Sequence, residues 1–111
     1  TWFISTGGAA SILVNSSAGN WFGYSYFNST AAVRSIKVYN TSSAPGIGST
    51  ANILAVIQAP GSTGGGGANM MFPSPGLYSS RGLGFTMTAG VGATDTGAPG
   101  LNDITLDLYF V

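Results

Sequence analysis

Asp103-Ile104-Thr105-Leu106-Asp107-Leu108-Tyr109-Phe110 puts Ile104, Leu106, Leu108 and Phe110 at alternate positions, with Asp103, Thr105, Asp107 and Tyr109 between them. Successive side chains of a strand point to opposite faces, so this period of two predicts a half-buried β-strand with its four apolar residues inward. A slip of one residue would send all four into water, so the register is strongly specified. Working back from this segment, Leu83, Phe85, Met87 and Ala89 alternate with Gly84, Thr86 and Thr88. Residues 33–40 place Arg34, Ile36 and Val38 on one side and Ser35, Lys37 and Tyr39 on the other. Ile53-Leu54-Ala55-Val56-Ile57 is continuously apolar and short, which predicts a strand buried on both faces. Residues 2–5, 12–15, 21–27 and 70–72 give weaker strand signals.

No segment sustains the 3.6-residue period of an amphipathic helix. The strands are punctuated by Ser42-Ser43-Ala44-Pro45-Gly46, by residues 60–67, by Pro73-Ser74-Pro75-Gly76 and by residues 89–100, all rich in turn formers. The sequence therefore predicts an all-β chain, an antiparallel β-sandwich of jelly-roll type with about eight short strands. Its 111 residues suit a single domain spanning 1–111, with residues 1–20 read as an extended N-terminal arm. The chain holds 18 Gly and 5 Pro, about a fifth of its residues, yet Leu, Ile, Val and Phe stay above the roughly 20% below which disorder sets in.

Charge is the unusual feature. Three basic and three acidic side chains make 5% of the chain, against roughly 25% in an ordinary soluble domain. Three scattered cations cannot build a phosphate-reading groove, so no nucleic-acid partner is expected. With no His and no Cys, disulfides, thiol chemistry and His-based catalysis are excluded. Serine and threonine hydroxyls are abundant, but Lys37 lacks a Ser-x-x-Lys spacing to activate one. The glycine pairs at 46/48, 82/84 and 90/92 do not extend to a dinucleotide fingerprint and read as turns. Asp103 and Asp107 lie roughly 13 Å apart along one strand, wider than the roughly 5–9.5 Å of paired glycosidase carboxylates, and read as a solvated strand face. Asp95, Asn102 and Asp103 supply hard oxygen ligands of the type calcium takes, but too few for a site. The sequence thus predicts no enzyme, no cofactor and no metal. Residues 53–57 are the longest apolar run, far short of a membrane span, and no basic segment followed by an apolar one opens the chain as a signal peptide would. Sequons at Asn15, Asn28 and Asn40 are weak motifs alone.

Low charge and positive mean hydropathy favour association over life as a free monomer, because interfaces are depleted of charge. Trp2, Trp21, Phe22 and Tyr24 belong to an aromatic-rich N-terminal third that predicts core and inter-subunit packing, with a sugar-stacking surface as the rival reading. Arg34 and Arg81 are expected to meet carboxylates or backbone carbonyls at a subunit interface, since the planar guanidinium suits both.

Residues 33–40 followed by Ala44-Pro45, then residues 76–88, Ala93-Thr94-Asp95-Thr96 and the alternating terminal strand, resemble segments of small virion structural proteins of tailed bacteriophages. The resemblance covers roughly residues 33–111. It implies a β-sandwich module on the virion, a capsid decoration (cement) protein binding the major capsid protein or another virion protein as a homo-oligomer. A trimer is expected because such modules often sit on three-fold axes. A receptor- or glycan-binding fibre knob, or a small jelly-roll coat or filament subunit, are the alternatives.

Overall fold

The computed structural model describes residues 2–6, 10–92 and 94–111, with residues 2–6 described by their backbone alone. The terminal alternating segment forms β9 (Leu101–Phe110), on which Ile104, Leu106 and Leu108 are fully buried and Thr105 and Asp107 half-buried. It runs antiparallel between β1 (Trp2–Thr6) and β3 (Gly19–Asn28). β2 (Ala10–Asn15) pairs β8 (Leu83–Thr88), and β4 (Arg34–Asn40) pairs both β8 and β5 (Ile53–Ala59). β6 (Gly66–Met71) and β7 (Leu77–Ser79) both pair β3, one after the other, so they act as one strand interrupted at residues 72–76. Proline has no amide hydrogen to donate, and Pro73 and Pro75 fall in that interruption.

The two sheets have the orders β1-β9-β3-β6 (with β7 also on β3) and β2-β8-β4-β5. The pairs are nested: β1 with β9, β2 with β8, β3 with β6 and β7, β4 with β5, and successive pairs alternate between sheets. One long antiparallel hairpin rolled into two layers is a jelly roll, and the chain is an antiparallel β-sandwich of that type. Between the layers Trp21, Ile36, Val38, Ile57, Leu83, Phe85, Met87, Ile104, Leu106 and Leu108 form one core.

Two expectations are corrected. Residues 2–6 and 10–15 are no free arm, because β1 and β2 are paired within the two sheets. Residues 53–57 are not buried on both faces: β5 is an edge strand and Val56 is 48% exposed. The doubly buried strands are instead β4 and β8, whose outward residues Ser35, Lys37, Tyr39, Thr86 and Thr88 are all buried as well. Loops cover that outer face. The Tyr39 hydroxyl donates to Ser49 O at 2.8 Å in the β4–β5 loop, and Lys37 Nζ donates to Gly92 O at 3.2 Å in the β8–β9 loop. Asp95 ties the latter loop together, its Oδ2 accepting from Gly90 N at 2.9 Å and Gly97 N at 3.1 Å.

One irregularity decides where the aromatic residues go. Trp21 opposes Phe110 but Gly23 opposes Tyr109, so Phe22 is an extra residue in β3, a β-bulge. The bulge lets Trp21 and Tyr24, three apart, face the same interior. Gly23 has φ of 152°, and a Cβ there would collide with Met70 O, so only glycine permits this approach.

Candidate functional site

The bulge in β3 sends the aromatic residues inward in a row. Trp21 is 1% exposed, its indole N–H donates to Gly23 O at 2.7 Å, and its ring meets Phe72 edge-on at 4.8 Å. Tyr24 lies 6.0 Å from Trp21 and 6.4 Å from Phe72, and stacks on Tyr26 with centroids 6.2 Å apart and planes 24° from parallel. Burial, and secondly the neighbouring Tyr26, push the Tyr24 phenol above its ordinary pKa, so it stays a neutral hydroxyl. Trp21 is therefore a core residue with no face to offer a second chain, which corrects its assignment to an interface. Tyr24 and Phe22 are half-buried; the side chain of Trp2 lies outside the described residues.

The charged residues are spent largely inside the molecule. Arg34 finds its carboxylate in its own chain: Nε and Nη2 each lie 3.0 Å from Asp103 Oδ2, and Nη1 donates to Val33 O at 3.1 Å. This pair joins β4 of one sheet to β9 of the other, so Asp103 is not the freely solvated carboxylate the alternation suggests. With side chains 18% and 14% exposed, the pair is expected to show a coupling of about 0.2–1 kcal/mol in a double-mutant cycle of Arg34→Met and Asp103→Asn, read by chemical denaturation. Zero coupling would mean that the cross-sheet link contributes nothing. Asp103 also accepts from Gly100 N at 2.7 Å. Asp95, Asn102 and Asp103 are thus not assembled into a ligand set: the two carboxylates serve separate stretches of backbone, and no metal-holding cluster of carboxylates occurs among the described residues. Arg81 is exposed, with its backbone amide donating to Asn40 Oδ1 at 2.8 Å.

Two of the sequon asparagines are internal clamps. Asn28 is fully buried and donates to Ala32 O at 2.8 Å and Ala59 O at 3.0 Å, while its Oδ1 accepts from Thr30 N and Thr30 Oγ1. Asn40 Oδ1 accepts from Ser79 Oγ and Arg81 N. Fully buried Asn28 is not free to carry a glycan in the folded chain, whereas Asn40 is half-buried and its Nδ2 donates to Ser80 Oγ at 3.1 Å.

What the alternation and motifs did not reveal lies at one end of both sheet orders, where β5 and β6 are the edge strands. No charged residue occurs between Lys37 and Arg81, a span that contains β5, β6, β7 and their loops. That run of neutral residues is the signal in the sequence that points there. Proteins ordinarily protect sheet edges with charged side chains, lysine above all, or with proline; β5 and β6 contain none of these. Along them Val56, Met70 and Met71 are exposed, the last by 60%, and Leu77 and Tyr78 of β7 add further apolar surface. A cleft of about 180 Å³ is lined by Tyr26 of β3, by Pro60, Gly61 and Ser62 of the β5–β6 loop, and by Gly66 and Gly67 of β6. A second cavity, beside Asn15, Trp21 and Phe110, measures about 10 Å³, room for about one water.

No protein-family model, curated protein or solved structure matches the chain.

Proposed function

We propose that this chain is a non-enzymatic structural subunit of a virus particle, a capsid decoration protein that attaches to the shell of a tailed phage and associates with copies of itself. The observation that carries the reading is the pair of uncharged, apolar edges presented by β5 and β6. An unprotected edge offers a row of amide and carbonyl groups to another chain, and side chains without charge are what interface centres are made of. Ser, Thr, Asn and Gly elsewhere leave few long side chains to immobilise when surfaces meet. Jelly rolls are used in viral shells and also in lectins, so the fold supports the reading by analogy alone. The resemblance of residues 33–111 to phage virion proteins supplies the virion context and the expectation of a trimer.

The test is sedimentation at micromolar concentration with a thermal melt over a hundredfold dilution. A trimer whose melting temperature falls on dilution is expected, because association stabilises by mass action. Asn69→Lys and Met71→Lys, on the exposed strand β6, should give a folded monomer with a dilution-independent melt. A wild-type chain that is already monomeric would overturn the assembly reading, and a dimer would overturn the trimer. Gel densitometry of the purified source particle separates the particle roles: hundreds of copies mark a decoration protein, a few copies a fibre tip.

A further inference from the structure

The cleft lined by Tyr26, the β5–β6 loop and the start of β6 has a chemistry of its own. Its lining residues are a tyrosine, a proline, a serine and three glycines, with no charged side chain among them. We infer that this cleft is a subsite for a single neutral sugar ring, with Tyr26 as the stacking platform.

Size, polarity and rigidity each support this assignment. A cavity of roughly 150 Å³ holds a benzene ring, so a cleft of about 180 Å³ has room for one six-membered ring such as a pyranose. Without a cation or an anion in the wall, a phosphate, carboxylate or ammonium ligand would be desolvated with nothing to compensate it. A neutral ring with C–H faces and a rim of hydroxyls has no such penalty: its face can lie on Tyr26 and its hydroxyls can bond to polar groups at the rim.

Those polar groups are present. Gly66 and Gly67 belong to an edge strand, whose backbone groups alternate between bonding β3 and facing outward. The Tyr26 ring is braced before any ligand arrives, because it stacks on Tyr24, which in turn packs on Trp21 and Phe72. A platform already held in place loses little entropy on binding. The glycines keep the floor low, and Gly67 is there for a structural reason as well, since a Cβ on it would collide with Tyr26 O.

The experiment is a titration of the full chain with a panel of methyl pyranosides of glucose, galactose, mannose and N-acetylglucosamine at millimolar concentrations. It is read by saturation-transfer NMR and by the ring resonances of Tyr26. At least one member is expected to bind with millimolar affinity and shift those resonances. Tyr26→Phe should retain the binding, while Tyr26→Ala should weaken it by roughly tenfold or more. Ser62→Ala, at the rim, should weaken it less and guards against a misfolded Tyr26→Ala protein. No response from any pyranoside, or full affinity in folded Tyr26→Ala, overturns the assignment. So do Tyr26 resonances that respond to protein concentration and not to sugar, which would mean that a second copy covers the cleft. That last result would leave the assembly reading standing, so the two fail separately.

Discussion

Leu106→Ala is expected to destabilise the chain by about 2–5 kcal/mol, the cost of deleting a fully buried leucine side chain and leaving a cavity. Leu106 is 0% exposed, in the middle of β9, with Tyr26 of β3 opposite it on one side and Phe3 of β1 in register on the other. It lies between the sheets, so neighbours from both layers would have to collapse to refill the space. For a domain of this size each kcal/mol lowers the melting temperature by roughly 4–8 °C, an effect a simple thermal melt resolves. Thr105→Ala, one residue away on the opposite face, is the matched control and should change stability by no more than about 0.5 kcal/mol. Equal melts for Leu106→Ala and wild type would show that the register of β9 is wrong, since one residue of slip exchanges the two faces.

Asn28→Ala should cost at least about 2 kcal/mol, although it removes no apolar packing. The Asn28 amide holds Ala32 O and Ala59 O, and its carbonyl oxygen accepts from Thr30 N and Thr30 Oγ1. Ala59 is itself fully buried, so its carbonyl cannot turn to water when the donor is lost. Each buried group left unpaired costs about 1–3 kcal/mol. Asn28→Asp should be worse at neutral pH, because it would aim a carboxylate at two carbonyl oxygens. Denaturant titrations of both variants check this, and a wild-type midpoint for Asn28→Ala would dismiss the clamp.

Asn28 also shows where local reading stops. In the sequence it is one of three sequon asparagines; in the fold it joins the end of β3 to the end of β5, 31 residues away. The same holds for Arg34, whose partner Asp103 lies 69 residues along the chain. Nothing in the spacing of either residue encodes its partner, because the pairing follows from how the rolled hairpin stacks one sheet on the other.

The strongly alternating strands, most of the turns and the inward face of β9 are legible in the linear order, because alternation and turn formers act within a few residues; β7 and the start of β6, which lack that alternation, are not. A surface poor in charge is legible too, and the neutral run from Lys37 to Arg81 marks the segment that carries the candidate interface. The folded arrangement was needed to show that residues 2–6 and 10–15 join the sheets, that β5 lies at an edge, and that loops bury the outer faces of β4 and β8. It was needed too for Trp21, which belongs to the core because the single extra residue at Phe22 reverses the inside–outside parity of β3. Which strand is an edge, and which face a loop covers, depends on contacts between distant segments, and a period of two looks the same in either case.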